Sequence, residues 1–335
     1  MRYLQIPVIQ GPNKWNLSWP DCTGHEQSPI DIDTHNVWYS SSMTSLEMVG
    51  YESIPPNTRW ELVNVGHAVH LELESDYRLR DGGLPGEYRA LYLTFHWGPT
   101  NITGTEHTID GRAYGMEIQV VHYNLAYNSY EEALAHPDGI AILSYLLEAQ
   151  SYGNPSLSQI ITNLPSITEE GSSVPLRPIP LLSLFPVNTN NYYRYQGSLT
   201  TPPCLQVVQW TIFSETAIIS EKQEFIFVIF KLEAFSSFRS HRSGVLKNKY
   251  QRRFPPFEKR NSFMRSSIGH CRPLQPLGGR TIYSSHTQHA NWLNSMTGST
   301  LSILLASSLG FVIILLVLSR PGKDHSDQSL DHHED

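Results

Sequence analysis

Ala90-Leu91-Tyr92-Leu93-Thr94-Phe95-His96-Trp97 and, some twenty residues on, Met116-Glu117-Ile118-Gln119-Val120-Val121-His122-Tyr123 are the two stretches on which the fold turns. Each is dense in aliphatic and aromatic residues and lacks Gly and Pro, so each reads as a strand in the middle of a sheet. Residues two apart on a strand share a face. Thr94 and His96 therefore stand together on one side of the first strand.

Outward from this pair the chain keeps a β character. Leu71-Glu72-Leu73-Glu74 alternates strictly, as does the neighbourhood of Val69, and both predict half-exposed strands. Gly139–Leu147 predicts a buried strand and Val207–Phe213 another, with Trp210 inside it. Tyr130–His136 predicts one helical turn. Ser156–Leu164 fits a short helix with Ser156 as its N-cap, and the proline-rich Pro175–Pro186 predicts an extended loop. No internal repeat is present.

The whole chain has 335 residues, 40% of them hydrophobic and 11% aromatic, enough for one large core. Twenty-two Gly and twenty-two Pro suit a strand-and-turn protein. A formal net charge of −7 argues against a nucleic-acid binder. Three cysteines allow one bridge and one spare thiol. Leu301–Leu318 is an uncharged apolar run just long enough to span a bilayer core. Arg320 and Lys323 follow it, as on a cytoplasmic side. The competing readings are a buried core helix and a lipid-anchor signal, and the hydrophilic tail beyond the run argues against the latter. Met1–Gln10 is too short and polar for a secretory leader, so the expectation is that a signal peptide is missing ahead of it. The expected layout is an extracellular domain at 11–286, a juxtamembrane linker at 287–299, a transmembrane helix at 300–319 and a cytoplasmic tail at 320–335. Such a protein would be a single-pass type I protein of the plasma membrane.

Glu224–Ser267 changes character. An apolar run, Phe225–Phe230, gives way to Arg239, Arg242, Lys247, Lys249, Arg252, Arg253, Lys259, Arg260 and Arg265. Such a run is ordinarily a solvated loop; the functional alternative is a surface for a sulfated glycan.

Several segments in order resemble the α-class carbonic anhydrases. Gly11-Pro12-Asn13-Lys14-Trp15 is similar to that family's early loop, and Gln27-Ser28-Pro29-Ile30-Asp31-Ile32 to its Q-S-P signature. Gly66-His67-Ala68, Glu106-His107-Thr108, Gly197-Ser198-Leu199-Thr200-Thr201-Pro202-Pro203-Cys204 and Arg272-Pro273-Leu274-Gln275-Pro276-Leu277 follow in family order. The resemblance covers most of residues 11–286. It implies a mainly β (α+β) domain around a twisted, mostly antiparallel sheet of about ten strands with short peripheral helices. Residues 224–267 are atypical, being longer than the family needs. The resemblance also implies a Cys22–Cys204 disulfide, with Cys271 left over. The bridge belongs to an oxidising compartment. The sequons at Asn16 and Asn101 agree with export and glycosylation.

By the same resemblance, residues 94, 96 and 119 are the positions of three zinc-binding histidines. Here they read Thr94, His96 and Gln119. Zinc catalysis needs three protein ligands and an open fourth position, and the ion lowers the pKa of its water to about 7. One imidazole, one hydroxyl and one amide do not supply that set. The position that would orient the first ligand is Tyr92, so ligand and supporter have both changed. Glu117, which would orient the third, remains, and is expected to bond the Gln119 amide. His67 would be the proton shuttle, Thr200 would accept from the hydroxide, and Glu106 would orient Thr200. Val121, Ile142, Leu199 and Trp210 would wall the carbon dioxide pocket. His107 and His122 fall on structural positions of the family. Without a zinc hydroxide, all of these are expected to be vestigial.

The pattern T-F-H-W-G followed by M-E-I-Q is similar to the carbonic-anhydrase-like ectodomains of receptor tyrosine phosphatases, which act as binding modules. Two readings follow. One is a membrane-anchored, inactive relative that needs no cofactor and binds an extracellular protein or glycan. The other is a carbonic anhydrase with an atypical or weak zinc site.

Overall fold

The computed structural model describes residues 12–98, 100, 102–230 and 271–287. The basic run from Arg239 to Arg265, the apolar run Leu301–Leu318, Asn101 and nearly all of the expected linker lie outside them. Among the described residues no helix is long and apolar enough to cross a membrane.

In chain order the strands are β1 (Asp31–Ile32), β2 (Trp38–Tyr39), β3 (Leu46–Val49), β4 (Arg59–Asn64), β5 (Val69–Glu74), β6 (Arg78–Asp81), β7 (Tyr88–Trp97) and β8 (Thr108–Ile109). There follow β9 (Met116–Asn124), β10 (Ile140–Gln150), β11 (Ser173–Leu176), β12 (Tyr192–Gly197), β13 (Val208–Phe213), β14 (Ala217–Ser220) and β15 (Tyr283–Ser284). Thirteen of them form one sheet, whose main path runs β11-β4-β5-β7-β9-β10-β13-β12-β15-β2. The sheet is larger than the expected ten strands and, as expected, mostly antiparallel, with three parallel pairings. β10 pairs in parallel with both β13 and β14, and β15 with β2. β1 and β8 form a separate parallel ladder.

The centre is β7 between β5 and β9. On one face, Leu93, Phe95, Trp97, Ile118, Val120, Leu143 and Tyr145 join the larger core cluster. Burial of each such side chain contributes about 1.5–3 kcal/mol. The other face carries the polar row His70, Thr94, Gln119 and Ser144, which are successive register partners across β5, β7, β9 and β10. A register shift between Ala90 and Tyr92 places Tyr92 beside Val121. From Tyr92 onward the pairing is regular, so Tyr92, two residues before Thr94, shares the polar face.

Three local expectations change. Asn154, not Ser156, caps the helical segment: its side chain accepts from the Ser156 amide, ahead of a 3-10 turn at Pro155–Leu157 and helix α2 at Ser158–Asn163. Pro175 lies in β11 rather than in a loop, paired with β4 at the sheet's edge. Proline is tolerated there because an edge strand needs donors on one side only. Residues 221–230 are helical, so the apolar run Phe225–Phe230 packs into the domain, with Phe227 beside Phe95 and Trp97. The expected turn at Tyr130–His136 is present as helix α1 (Tyr130–Ala133), capped by Ser129.

Candidate functional site

The loop that carries Glu106 and His107 is fixed against β9 by close backbone contact. A Cβ added to Gly104 would fall 1.6 Å from the Gly115 carbonyl oxygen, which only glycine avoids. Glu117 then closes the loop. It is fully buried and accepts from the Glu106 and His107 amides on Oε2, both at 2.8 Å. On Oε1 it accepts from His107 Nδ1, Ser144 Oγ and Gln119 Nε2, at 2.8, 2.7 and 2.9 Å. Burial alone would raise this carboxyl's pKa. The His107 charge and hydrogen bond, with His96 and Ser144, outweigh it and hold Glu117 at about 2.

Gln119 does more than expected. Its Nε2 also donates to Glu106 Oε2 at 3.0 Å, so one amide bridges both carboxylates. The sequence reading pairs Glu106 with Thr200. The structure gives Glu106 Gln119 on one oxygen and the Arg272 backbone amide on the other. Thr200 is buried close to the same cleft-forming loop as Leu199.

His96 is buried, with Nδ1 3.7 Å from Glu106 Oε2. Its Nε2 is buried and has no hydrogen-bond partner among the described residues. Thr94 is buried between His70 and Gln119. The residues at the family's three zinc positions do not fit a catalytic zinc. With Nε2 of Gln119 committed to two carboxylates, only a neutral amide oxygen is left to offer beside a hydroxyl and one imidazole. Catalytic zinc sites use three strong ligands instead.

His67 is half-buried in the turn leading into β5. Burial first, and His96 second, push its pKa down to about 4. Burial therefore opposes the protonated form of His67, the form that a proton relay must pass through. Sequence reading missed His70 altogether. It is buried on β5, its ring lies 6.4 Å from that of His67, and it stacks on Tyr92 at 4.3 Å. Burial, then His67 and His96, holds its pKa well below the ordinary value. Its alternation with Leu71 and Leu73 puts it on the strand's polar side, and the pairing of β5 with β7 sets that side beside position 94.

The residues expected to wall the carbon dioxide pocket lie together in the core. Val121, Ile142 and Trp210 are buried in the smaller core cluster, with Leu199 packed against them. Trp210 Nε1 donates to the Ser198 carbonyl. His107 bridges Glu117 and Tyr195, and His122 lies 2.5 Å from the Tyr51 hydroxyl, both structural contacts. Cys22 and Cys204 are joined in a disulfide that leaves out Cys271, whose Sγ lies 3.6 Å from the Gly104 carbonyl oxygen. Asn16 is exposed. Outside the cleft, Asp33, His35 and Asp110 bring three possible metal-binding atoms within 4.8 Å of one another. Their carboxylates already accept from His35, Asn36 and Thr34.

A large mixed sheet with a polar face sunk between two apolar clusters, closed by a glutamate-anchored loop, defines a carbonic anhydrase domain. The family model for the eukaryotic-type carbonic anhydrases matches residues 10–286, and the chain belongs to that family. Among its relatives, carbonic anhydrase 6 of Bos taurus is 38% identical over 242 residues, covering 71% of this chain and 72% of the relative. Carbonic anhydrase 12 of Homo sapiens is 34% identical over 311 residues, or 92% and 80% of the two chains. Carbonic anhydrase 15 of Mus musculus is 37% identical over 283 residues, or 82% and 80%.

Proposed function

We propose that this chain is a membrane-anchored, extracellular carbonic-anhydrase-related protein that does not hydrate carbon dioxide and instead binds an extracellular protein or glycan. The observation that carries this reading is the fate of Gln119. Its amide is spent on Glu106 and Glu117, and with Thr94 in the next row the family's zinc position keeps one imidazole. Hydration in this family needs a metal-bound hydroxide, and among the described residues no side chain around Thr94, His96 and Gln119 replaces it as a nucleophile. The Cys22–Cys204 bridge supports an oxidising compartment. The apolar run Leu301–Leu318 supports an anchor.

The test is carbon dioxide hydration by the purified full chain, with and without added Zn2+, beside carbonic anhydrase 12. Turnover indistinguishable from buffer supports the proposal, and turnover within about a hundredfold of the relative overturns it. The second reading, a weak carbonic anhydrase, is favoured by the relatives' names and by the intact wall of Val121, Ile142, Leu199 and Trp210. Under that reading the wild-type chain turns over and Gln119→Ala abolishes it.

A further inference from the structure

Asn16-Leu17-Ser18 has the acceptor pattern for N-linked glycosylation, and all three residues are exposed, Leu17 by 75%. Asn154-Pro155-Ser156 has the same spacing, but its proline excludes it. Asn16 lies in a 3-10 turn at Pro12–Leu17, after which the Ser18 and Trp19 amides both donate to the Trp15 carbonyl and hold the turn closed. Trp15 is buried beneath, with the Arg272 guanidinium 5.9 Å from its ring centre. Arg272 donates from Nη2 to the Cys22 carbonyl, so residues 12–23 and 272–275 are tied together at their base.

Between these two segments lies an open groove of about 250 Å3, lined by Pro12, Asn16, Thr23, Arg272, Pro273 and Gln275 and reaching Cys22. It falls just below the roughly 300–1,000 Å3 of pockets that hold drug-sized ligands, which is the scale of one sugar ring. Its lining suits a sugar. Pro12 and Pro273 offer apolar ring faces. Gln275 donates from Nε2 to the Pro273 carbonyl, and the Thr23 hydroxyl donates to the Pro20 carbonyl. The side-chain oxygens of both are left to accept from sugar hydroxyls.

Building on the extracellular placement proposed above, on which this rests, we propose that Asn16 carries an N-linked glycan whose first N-acetylglucosamine seats in this groove, pinning residues 12–23 against 272–275 and covering Cys22. In the transfer, Asn16 Nδ2 bonds to the anomeric carbon of a sugar borne on a lipid diphosphate. The bond from that carbon to the diphosphate oxygen breaks, the lipid diphosphate leaves with the electron pair, and Nδ2 gives up one proton. Because Asn16 is itself part of the lining, the attached sugar meets the groove at the roughly millimolar effective concentration of a short linker, and weak contacts are enough to seat it. The Arg272 amide also donates to Glu106, so the segment held by the sugar is the one that supports a carboxylate of the cleft.

The experiment uses the full chain made in animal cells that build only high-mannose glycans, with the second sequon removed by Asn101→Gln. Mass spectrometry of the peptide containing Asn16 is expected to show the glycan, and Asn16→Gln and Ser18→Ala should each abolish it. An unmodified Asn16 in protein whose Cys22–Cys204 bridge has formed overturns the glycan alone. An unmodified Asn16 with both cysteines reduced overturns the glycan and the extracellular placement together. For the seat, endoglycosidase trimming leaves one N-acetylglucosamine on Asn16. The rate at which dithiothreitol then reduces the bridge in native buffer is compared with the rates for Asn16→Gln and Ser18→Ala. Thiol attack depends on access, so the bridge should open about tenfold more slowly when the single sugar is present. Equal rates in all three forms overturn the seat, in favour of a glycan that projects into solvent.

Discussion

Glu117→Gln tests what the buried carboxylates beside residue 119 do for the fold. In the folded protein Glu117 accepts five hydrogen bonds, three on Oε1 and two on Oε2. A glutamine in the same place can accept on one side only. Its amide nitrogen must then face either the Glu106 and His107 backbone N–H groups or the three donors on the other side. The milder arrangement leaves two buried backbone donors without an acceptor, at about 1–3 kcal/mol each. It also removes a buried charge from His107. Broken buried pairs cost about 3–5 kcal/mol, and the two estimates agree on roughly 4 kcal/mol at pH 7. The pH dependence gives an independent value. A carboxyl held at about 2 instead of the ordinary 4.5 is worth about 3 kcal/mol at about 1.4 kcal/mol per tenfold change in proton activity. Because the folded-state pKa is the lower one, this stability is complete above pH 4.5 and is lost as pH falls towards 2. Urea denaturation of wild type and variant at a series of pH values should show a gap near 4 kcal/mol at pH 7 that closes by about 3 kcal/mol at pH 2–3. A gap under 1 kcal/mol at pH 7 would refute the structural role argued for Glu117.

Other expectations are equally direct. Thr94→His combined with Gln119→His should create zinc-dependent carbon dioxide hydration, measured by stopped flow, and adding Tyr92→Gln should tighten zinc about 10–100-fold; an inert triple variant would show that the loss lies beyond the ligands. Cys22→Ser with Cys204→Ser opens a cross-link between residues 182 apart and should cost about 2–5 kcal/mol in denaturant titration. His122, fully buried, is pushed down to about 4, so the chain loses up to about 3 kcal/mol as pH falls from 6.5 to 4, where the unfolded imidazole protonates first. That acid slope should flatten in His122→Gln, and an unchanged slope would assign it to other groups.

The central strands were legible because Leu93, Phe95, Ile118 and Val120 alternate with polar residues, and one sheet face buries the former. The Glu117–Gln119 contact was legible for the same reason, both lying on the polar face two residues apart. His70 was not: in Val69–Glu74 an outward polar row and a row facing a polar cleft have the same pattern, and only the pairing of β5 with β7 separates them. The partnership of Glu106 was hidden because it depends on which donor arrives first, and an amide at 119 reaches it. The depressed pKa of His67 depends on burial in a turn that carries no periodic signal. Pro175 and Asn154 show the limits of local rules, since an edge position and a competing cap one turn earlier are decided by tertiary neighbours.

The amide bridge between Glu106 and Glu117 also restricts how the protein can change. A primary amide has two hydrogens to share, whereas a neutral imidazole has one N–H. Replacing residue 119 by histidine alone takes one donor from one of the two buried carboxylates, each of which keeps its other partners. Installing histidine at 94 first crowds His70 without completing a ligand set. Either single step costs packing or hydrogen bonding without completing a ligand set, so the two changes are expected to help only together.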